Sequence, residues 1–536
     1  MPDRRTGAAV LSGIILVVVA LSIASVWLDS ATSDEPSYIA AGTIKLMSGR
    51  LDYFRDEPPL WISVSAAPLA IAGYRLPPIW NANSDHWSIG KRFLWRSGFD
   101  GHRMLFLARL PTIALFAALI VAMYAFVLHE TKSVACALIA AVLTGFCPSL
   151  MAHGRLATVD LALSFFTFVA AALFLLMIES GSAAAAIGCG VASAAAIMSK
   201  TSGNILGPYF LILLIAALAM RADRRRLVAM FAVAVLSAIA FAELFILAEA
   251  RSFNVLLPFR EYVENIRAIS GWYTHGHVLP QFLLGRFSTS GFYAYYEIAF
   301  LLKTTVAALA LIFAALLRVL ARFRFSVPGA RFAWFALLGF PVLFLIIAAF
   351  GHLTLGIRYV LPIYPFLYAA TAIGFQPRTG DRAGRTPSAA GTLLAAVLVW
   401  HAAENLMAFP NYISYFNEFI SSPRRADEYL IDSNLDWGQD LRRLDAWCRD
   451  NHVAQITVHY FGGADVAYDV RSARPVLLRG PGFGPLPKGY FALSRHLYRV
   501  SFAPGVWPMN YDRYLAANHA HYVTTVGGSI NVYRVE

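Results

Sequence analysis

The stretch GIILVVVALSIASVWLDSATSDEPSYIAAG, residues 13–42, runs an apolar segment straight into two adjacent carboxylates, Asp34 and Glu35. The apolar run extends from Ala8 to Leu28, matching the roughly 20 residues that a bilayer-crossing helix needs. It is long for a signal-peptide core and no clean small-x-small cleavage site follows it, so it reads as a retained first membrane helix. Behind the acids, Ile39, Ala40, Thr43, Leu46 and Met47 share one helical face and Lys45 opposes them. That pattern predicts an amphipathic helix lying at the membrane surface. On position alone, Asp34 caps this helix and Glu35 favours its first turn.

The whole chain follows from that opening. Its 536 residues are 58% hydrophobic and only 14% charged, with a mean hydropathy of +0.57, so the bilayer is its main solvent. The formal charge of +12 does not indicate nucleic acid, because the arginines cluster in short connections between apolar segments, as cytoplasmic loops do. Cys136, Cys147 and Cys189 lie inside apolar segments and Cys448 stands alone, which excludes a disulfide framework or a cysteine zinc site.

The periodicity predicts a mostly α polytopic bundle of about eleven spans, near residues 8–28, 104–128, 133–150, 158–178, 184–199, 204–220, 227–248, 295–317, 332–350, 359–376 and 389–408. With the N-terminus inside, the arginine-rich connections 221–226, 318–331 and 376–386 all fall on the cytoplasmic side. The outer side then holds loops 29–103 and 249–294 and everything after about residue 409. The apolar segment 58–74 begins with Pro58-Pro59 and is short, so it reads as an interfacial or re-entrant helix. Residues 1–420 form the membrane unit. In 421–536, strand-like alternation at 455–461 and 529–535 and a helical stretch at 441–450 predict a small α/β domain on the outer face.

Charged groups gather on that one side. RDEPPLW (55–61) repeats the motif of acids before proline, HGRLATVD (153–160) brings His153, Arg155 and Asp160 to a span end, and His275 and His277 stand in the second outer loop. Lys200, Lys303 and Arg358 sit at outer span ends, two of them drawn from only six lysines in the chain. Ionisable groups at membrane depth are costly and mark function, and a lipid phosphate would give these cations a purpose as charge-assisted donors. Snorkelling anchors are the alternative for each. Asp432, Asp436 and Trp437 in DSNLDWGQDL (432–441) suggest an acceptor site or, equally, a turn and a helix cap.

Taken in order, DEPSYIAAG, EPPL, ATVD, GIRYVLPIYPF, YFNEF and DSNLDWGQDL resemble the motifs of the C-type (GT-C) membrane glycosyltransferases, family 39. That group holds protein O-mannosyltransferases and lipid A aminoarabinose transferases. The resemblance implies transfer of a sugar from a polyprenyl-phosphate donor to a glycan, lipid or protein acceptor at the outer face of the membrane, and the arginine and alanine richness suits a bacterial inner membrane. The same resemblance puts Asp34 at the position of the catalytic acid; as general base, Asp34 would give inversion, with Glu35 positioning the acceptor. Donor phosphate charge falls to Arg358, Lys200 and Lys303. Glu57 matches a metal-binding position of the aminoarabinose transferases, which implies a divalent metal completed by His275 or His277. The sequence departs from that pattern at Pro58, where those enzymes carry lysine, and it lacks the lumenal β-trefoil of the O-mannosyltransferases. A polyprenyl-linked glycan transporter would share the outer charges but also shows repeats and midplane acids. Glu243 and Glu249 are the only residues of that sort. A noncatalytic relative would have lost Asp34.

Overall fold

The computed structural model describes residues 3–75, 85–220, 223–275, 280–323, 328–351, 353–376, 389–474 and 484–536. Each of the eleven segments expected to span is helical, but eleven full spans are not borne out. Seven helices are long and apolar enough to cross a membrane: Arg4–Leu28, Gly101–Thr131, Asp160–Ser180, Thr201–Met220, Arg224–Ala250, Arg331–Ala349 and Ala389–Ala408. Val134–Gly145, Ala183–Ser199 and Ile363–Gly374 are apolar but shorter. The eighth expected span is two helices, Tyr295–Lys303 and Val306–Ala321, bent by 113°. The break has local causes. Thr305 Oγ1 accepts from the Ala308 backbone N–H at 3.1 Å and so starts a new helix, and Thr304 Oγ1 bonds Tyr364 Oη at 2.9 Å.

The helix behind the acidic pair, Glu35–Ser48, does not present an open face as its amphipathic pattern suggested. Residues 35–45 are all buried. The helix is wedged between Pro59–Ile71 and His86–Trp95, and two glycines permit the approach. A Cβ on Gly42 would lie 2.1 Å from the Ile62 carbonyl oxygen, and one on Gly90 would lie 2.5 Å from the Pro36 carbonyl carbon. Lys45, on the polar side, is satisfied internally by the carbonyls of Leu51, Tyr53 and Phe54 at 2.9, 2.7 and 3.2 Å. The periodicity was real, but its polar face meets backbone carbonyls instead of water.

The tail forms a five-stranded sheet in the spatial order Ala473–Arg474, Ile456–His459, Gly489–Ser494, Ile530–Val535, Ala520–Val526. The first two pairings are parallel and the last two antiparallel. Helix Leu441–Asp450 presents Leu441 and Leu444 to one sheet face, and that apolar cluster continues without a break into Ile39, Ile44, Trp61 and Phe93 of the membrane unit. Charges reinforce the junction: Asp29 pairs with both Arg155 and Arg443, and Arg443 also with Asp440.

Candidate active site

Two adjoining cavities open at the end of the bundle that carries the tail. One, of about 360 Å³, has charged walls: Asp34 and Tyr38, Asp56 and Glu57, Lys200 and Arg358, with Asp432, Trp437 and Phe461 contributed by the tail. The other, of about 440 Å³, is lined mainly by apolar side chains from Ala183–Ser199 and Arg224–Ala250, among them Ile197, Met198, Ile239 and Ile246. Phe54 and Glu57 line both.

The two acids of the opening motif part company. Asp34 stands at the N-cap position but its carboxylate makes no capping bond. It turns into the charged cavity, where Oδ2 accepts from Arg358 Nη1 at 2.9 Å and from Tyr38 Oη at 3.4 Å. Burial pushes its carboxyl above the ordinary range, Arg358 pulls it back, and Asp160 and Asp432 add to the rise. Glu35 is fully buried and outside the cavity wall. Its oxygens accept from Arg109 Nε and Nη2 at 2.8 and 2.7 Å, from the Ala157 N–H at 2.9 Å, and from Thr32 N–H and Oγ1 at 2.9 and 3.0 Å. Burial alone would raise its carboxyl, but Arg109 and the backbone donors hold it below the usual range. With every lone pair occupied, Glu35 has no group left to offer an acceptor. It ties the first loop to the Gly101–Thr131 helix and does not line the cavity where a positioning role was expected.

The cations divide in the same way. Arg358 sits in the short turn Ile357–Val360, behind Gly356 with φ 145°, where a Cβ would meet Ser433 Oγ at 2.2 Å. Lys200 Nζ lies 2.5 Å from Asp160 Oδ1, and Arg358 Nη1 lies 3.8 Å from the other oxygen of that carboxylate. Both cations lie over the Tyr359 ring, Lys200 Nζ at 4.3 Å and the Arg358 guanidinium at 5.0 Å from its centre. Lys303, expected on the donor phosphate, is turned away: it donates to the carbonyls of Ile413 and Asn434 at 2.8 and 2.6 Å and to that of Tyr415. With its three protons taken by carbonyls, Lys303 is absent from the charged cavity's wall.

Asp432 and Trp437 reach the cavity as expected, but Asp436 does not. Its carboxylate accepts from Ser494 Oγ, and from the N–H groups of His496 at 3.1 Å and Gly438 at 3.2 Å. Burial pushes it up to about 7. His153 packs edge-on against Trp437 at 5.9 Å and Arg155 is bound to Asp29, both beneath the cavity. The sequence reading passed over Tyr38, Tyr359, Phe461, Asp29 and Arg109. Arg109 had a signal, a lone charge amid an apolar span.

Of the metal set expected from the resemblance, His277 and the side chain of His275 lie outside the described residues. Burial pushes Glu57 up to about 8, with Asp160 and Asp34 adding to the rise and Lys200 and Arg358 opposing it. Among the described residues, three metal-ligating side chains converge only at His129, Glu130 and Glu179, the last near the far end of the helix that begins at Asp160. Glu57 is the one member of that set whose side chain is described, and no step below uses a metal.

Residues 89–259, which include Arg109, Asp160 and Lys200, match the family model of dolichyl-phosphate-mannose-protein mannosyltransferase. No curated protein sequence matches the chain. In three dimensions the chain is similar to ArnT from Cupriavidus metallidurans in the apo state, with a TM-score of 0.50 and 13% identity over 99% of this chain and 98% of that one. It is also similar to the archaeal oligosaccharyltransferase AglB from Archaeoglobus fulgidus, solved with an inhibitory peptide and a dolichol-phosphate. There the TM-score is 0.50 and the identity 13%, over 98% of this chain and 74% of that one. The chain thus has the GT-C fold of these membrane proteins, with a stretch matching the mannosyltransferase family model inside it.

Proposed function

We propose that this protein is an integral-membrane glycosyltransferase that moves a sugar from a polyprenyl-phosphate donor to a hydroxyl-bearing glycan, lipid or protein acceptor, with inversion at the anomeric carbon. The observation that carries this is the adjacency of the two cavities. A carboxylate paired with an arginine, and a lysine beside it, line a polar chamber whose wall is shared with an apolar one. A lipid-linked sugar phosphate has these same two halves. AglB was solved with a dolichol-phosphate, which supports a lipid phosphate as the ligand class here.

The prenyl chain occupies the apolar cavity and the phosphate lies between Arg358 and Lys200, where two cations meet the charge that grows as the bond to the sugar breaks. Asp34 takes the proton of the acceptor hydroxyl as its oxygen attacks the anomeric carbon from the face opposite the phosphate. The new carbon–oxygen bond forms, the old one breaks, and its electron pair leaves on the phosphate as polyprenyl phosphate. Asp160 spaces the two cations. Asp432, in the left-handed region at φ 58°, offers a carboxylate to sugar hydroxyls from the tail wall. With the arginine-rich connections 221–226, 318–331 and 376–386 read as cytoplasmic from the sequence, the cavities face the extracytoplasmic side of a bacterial inner membrane.

Purified protein incubated with a panel of polyprenyl-phosphate sugars and candidate acceptors releases polyprenyl phosphate from at least one donor, and the product has the anomeric configuration opposite to it. A retained configuration would remove the single-base mechanism, and release from no donor would remove the assignment.

A further inference from the structure

We infer that Trp437 is a positioning residue for the Asp34–Arg358 pair, so that the C-terminal domain is built into the reaction centre and is not merely attached beside it. This rests on the reading of that pair as the reaction centre. Two independent contacts carry it. The indole ring, only 1% exposed, lies 4.3 Å from the Arg358 guanidinium on one side, with the His153 ring at 5.9 Å. An arginine is directed by the face it stacks on as well as by its hydrogen bonds. Arg358 has one close ion pair, to Asp34 at 2.9 Å, and its Nε has no hydrogen-bond partner, so the ring is a main restraint on which way the fork points.

The backbone of the same residue holds the other member of the pair. The Trp437 carbonyl accepts from the Ser33 N–H at 2.9 Å, immediately before Asp34, and the Gln439 carbonyl accepts from the Ser30 N–H at 2.9 Å. The Arg442 N–H donates to Ser30 Oγ at 2.9 Å. Gln439 Oε1 in turn holds the Trp437 N–H at 2.9 Å. Three residues upstream, Asn434 Oδ1 accepts from the Ile357 N–H at 2.9 Å, adjoining Arg358. One segment of the tail therefore grips the chain next to the acid and next to the cation, and sets a ring against the cation itself. Neither a turn nor a helix cap needs these contacts.

The test reads the pair directly and needs no substrate. The charged and titratable groups facing Asp34 are Arg358, Asp160, Asp432, Glu57, Tyr38 and Tyr359, and Arg358 is the cation that favours its carboxylate. Carbodiimide labelling of Asp34 against pH, followed by mass spectrometry in the full-length protein, gives its titration midpoint. Labelling of the fully buried Glu35 reports loss of the fold. In Trp437→Leu the Asp34 midpoint moves to higher pH with Glu35 still protected, while Trp437→Phe, which keeps a ring, restores it. If Trp437→Leu exposes Glu35, Trp437→Met, whose longer flexible side chain adapts better to the space left without supplying a ring, takes its place. An unchanged Asp34 midpoint in the folded Leu or Met variant overturns the inference. In the transfer assay the Leu variant loses roughly tenfold in turnover, the scale of one desolvated cation–π contact. Asp34→Asn beside it separates the two failures: full activity in Asp34→Asn removes the reaction centre itself. An inactive Asp34→Asn with a fully active Trp437→Leu removes only the role of the ring.

Discussion

Glu35→Gln separates scaffold from chemistry in two adjacent acids. The Glu35 carboxylate is fully buried and takes five hydrogen bonds, two of them from Arg109. An amide in its place turns an NH₂ group toward these donors and leaves the guanidinium without its anion. Breaking a buried pair by removing one partner costs about 3–5 kcal/mol. Arg109 keeps the carbonyls of Val26 and Ser30 at 3.0 and 2.8 Å, which sets the expectation at the lower end, about 3 kcal/mol. Thermal unfolding in detergent, with activity expressed per folded molecule, gives both readouts: lowered stability, and turnover near wild type in what remains folded. The double variant Glu35→Met, Arg109→Met recovers only the charge part of the loss, since no charge is left stranded but the Thr32 and Ala157 N–H groups and the Val26 and Ser30 carbonyls lose their partners. A Glu35→Gln protein as stable as wild type but inactive would refute the scaffold role and return Glu35 to the reaction.

Glu57 gives a pH dependence of defined sign. Its carboxyl rises from an ordinary 4.5 to about 8 in the folded protein, so between those values the unfolded chain sheds a proton that the folded one keeps. Stability from this group is present below pH 4.5 and declines as pH rises toward 8. Unfolding of Glu57→Gln against pH shows a flatter curve over that window, and an identical slope contradicts the burial argument. Lys200→Met raises the KM for the lipid-phosphate donor roughly ten- to hundredfold, the scale of one charge-assisted hydrogen bond. Lys303→Met instead lowers the unfolding temperature with the KM unchanged, because its three carbonyl partners lose their donor. Steady-state kinetics paired with unfolding curves distinguishes the two lysines, and a shared phenotype would count against the division made between them.

The reasons those residues differ show what a sequence can carry. Asp34 and Glu35 are neighbours of the same charge, and nothing local distinguishes them. Their roles are set by Arg358, 324 residues away, and Arg109, 74 residues away. The helical segments were legible because apolar runs are local. The span count was not, because Thr304 and Thr305 find partners that divide a helix whose composition is continuous. The helix Glu35–Ser48 was legible as a helix but not as a buried one, since only tertiary contacts reveal that Lys45 donates to the carbonyls of Leu51, Tyr53 and Phe54. Lys200 and Lys303 both end apolar segments. One meets a carboxylate beside a cavity, the other a ring of backbone oxygens, and that difference lies wholly in packing.

The central claim is that Asp34 removes the acceptor proton while a lipid phosphate departs toward Arg358 and Lys200. Turnover of a polyprenyl-phosphate sugar by Asp34→Asn, measured beside its binding of polyprenyl phosphate, tests it most directly. The expected result is a loss of about 10²- to 10⁴-fold in turnover, with the lipid phosphate still bound and the protein folded. Turnover at the wild-type rate in that variant would contradict it.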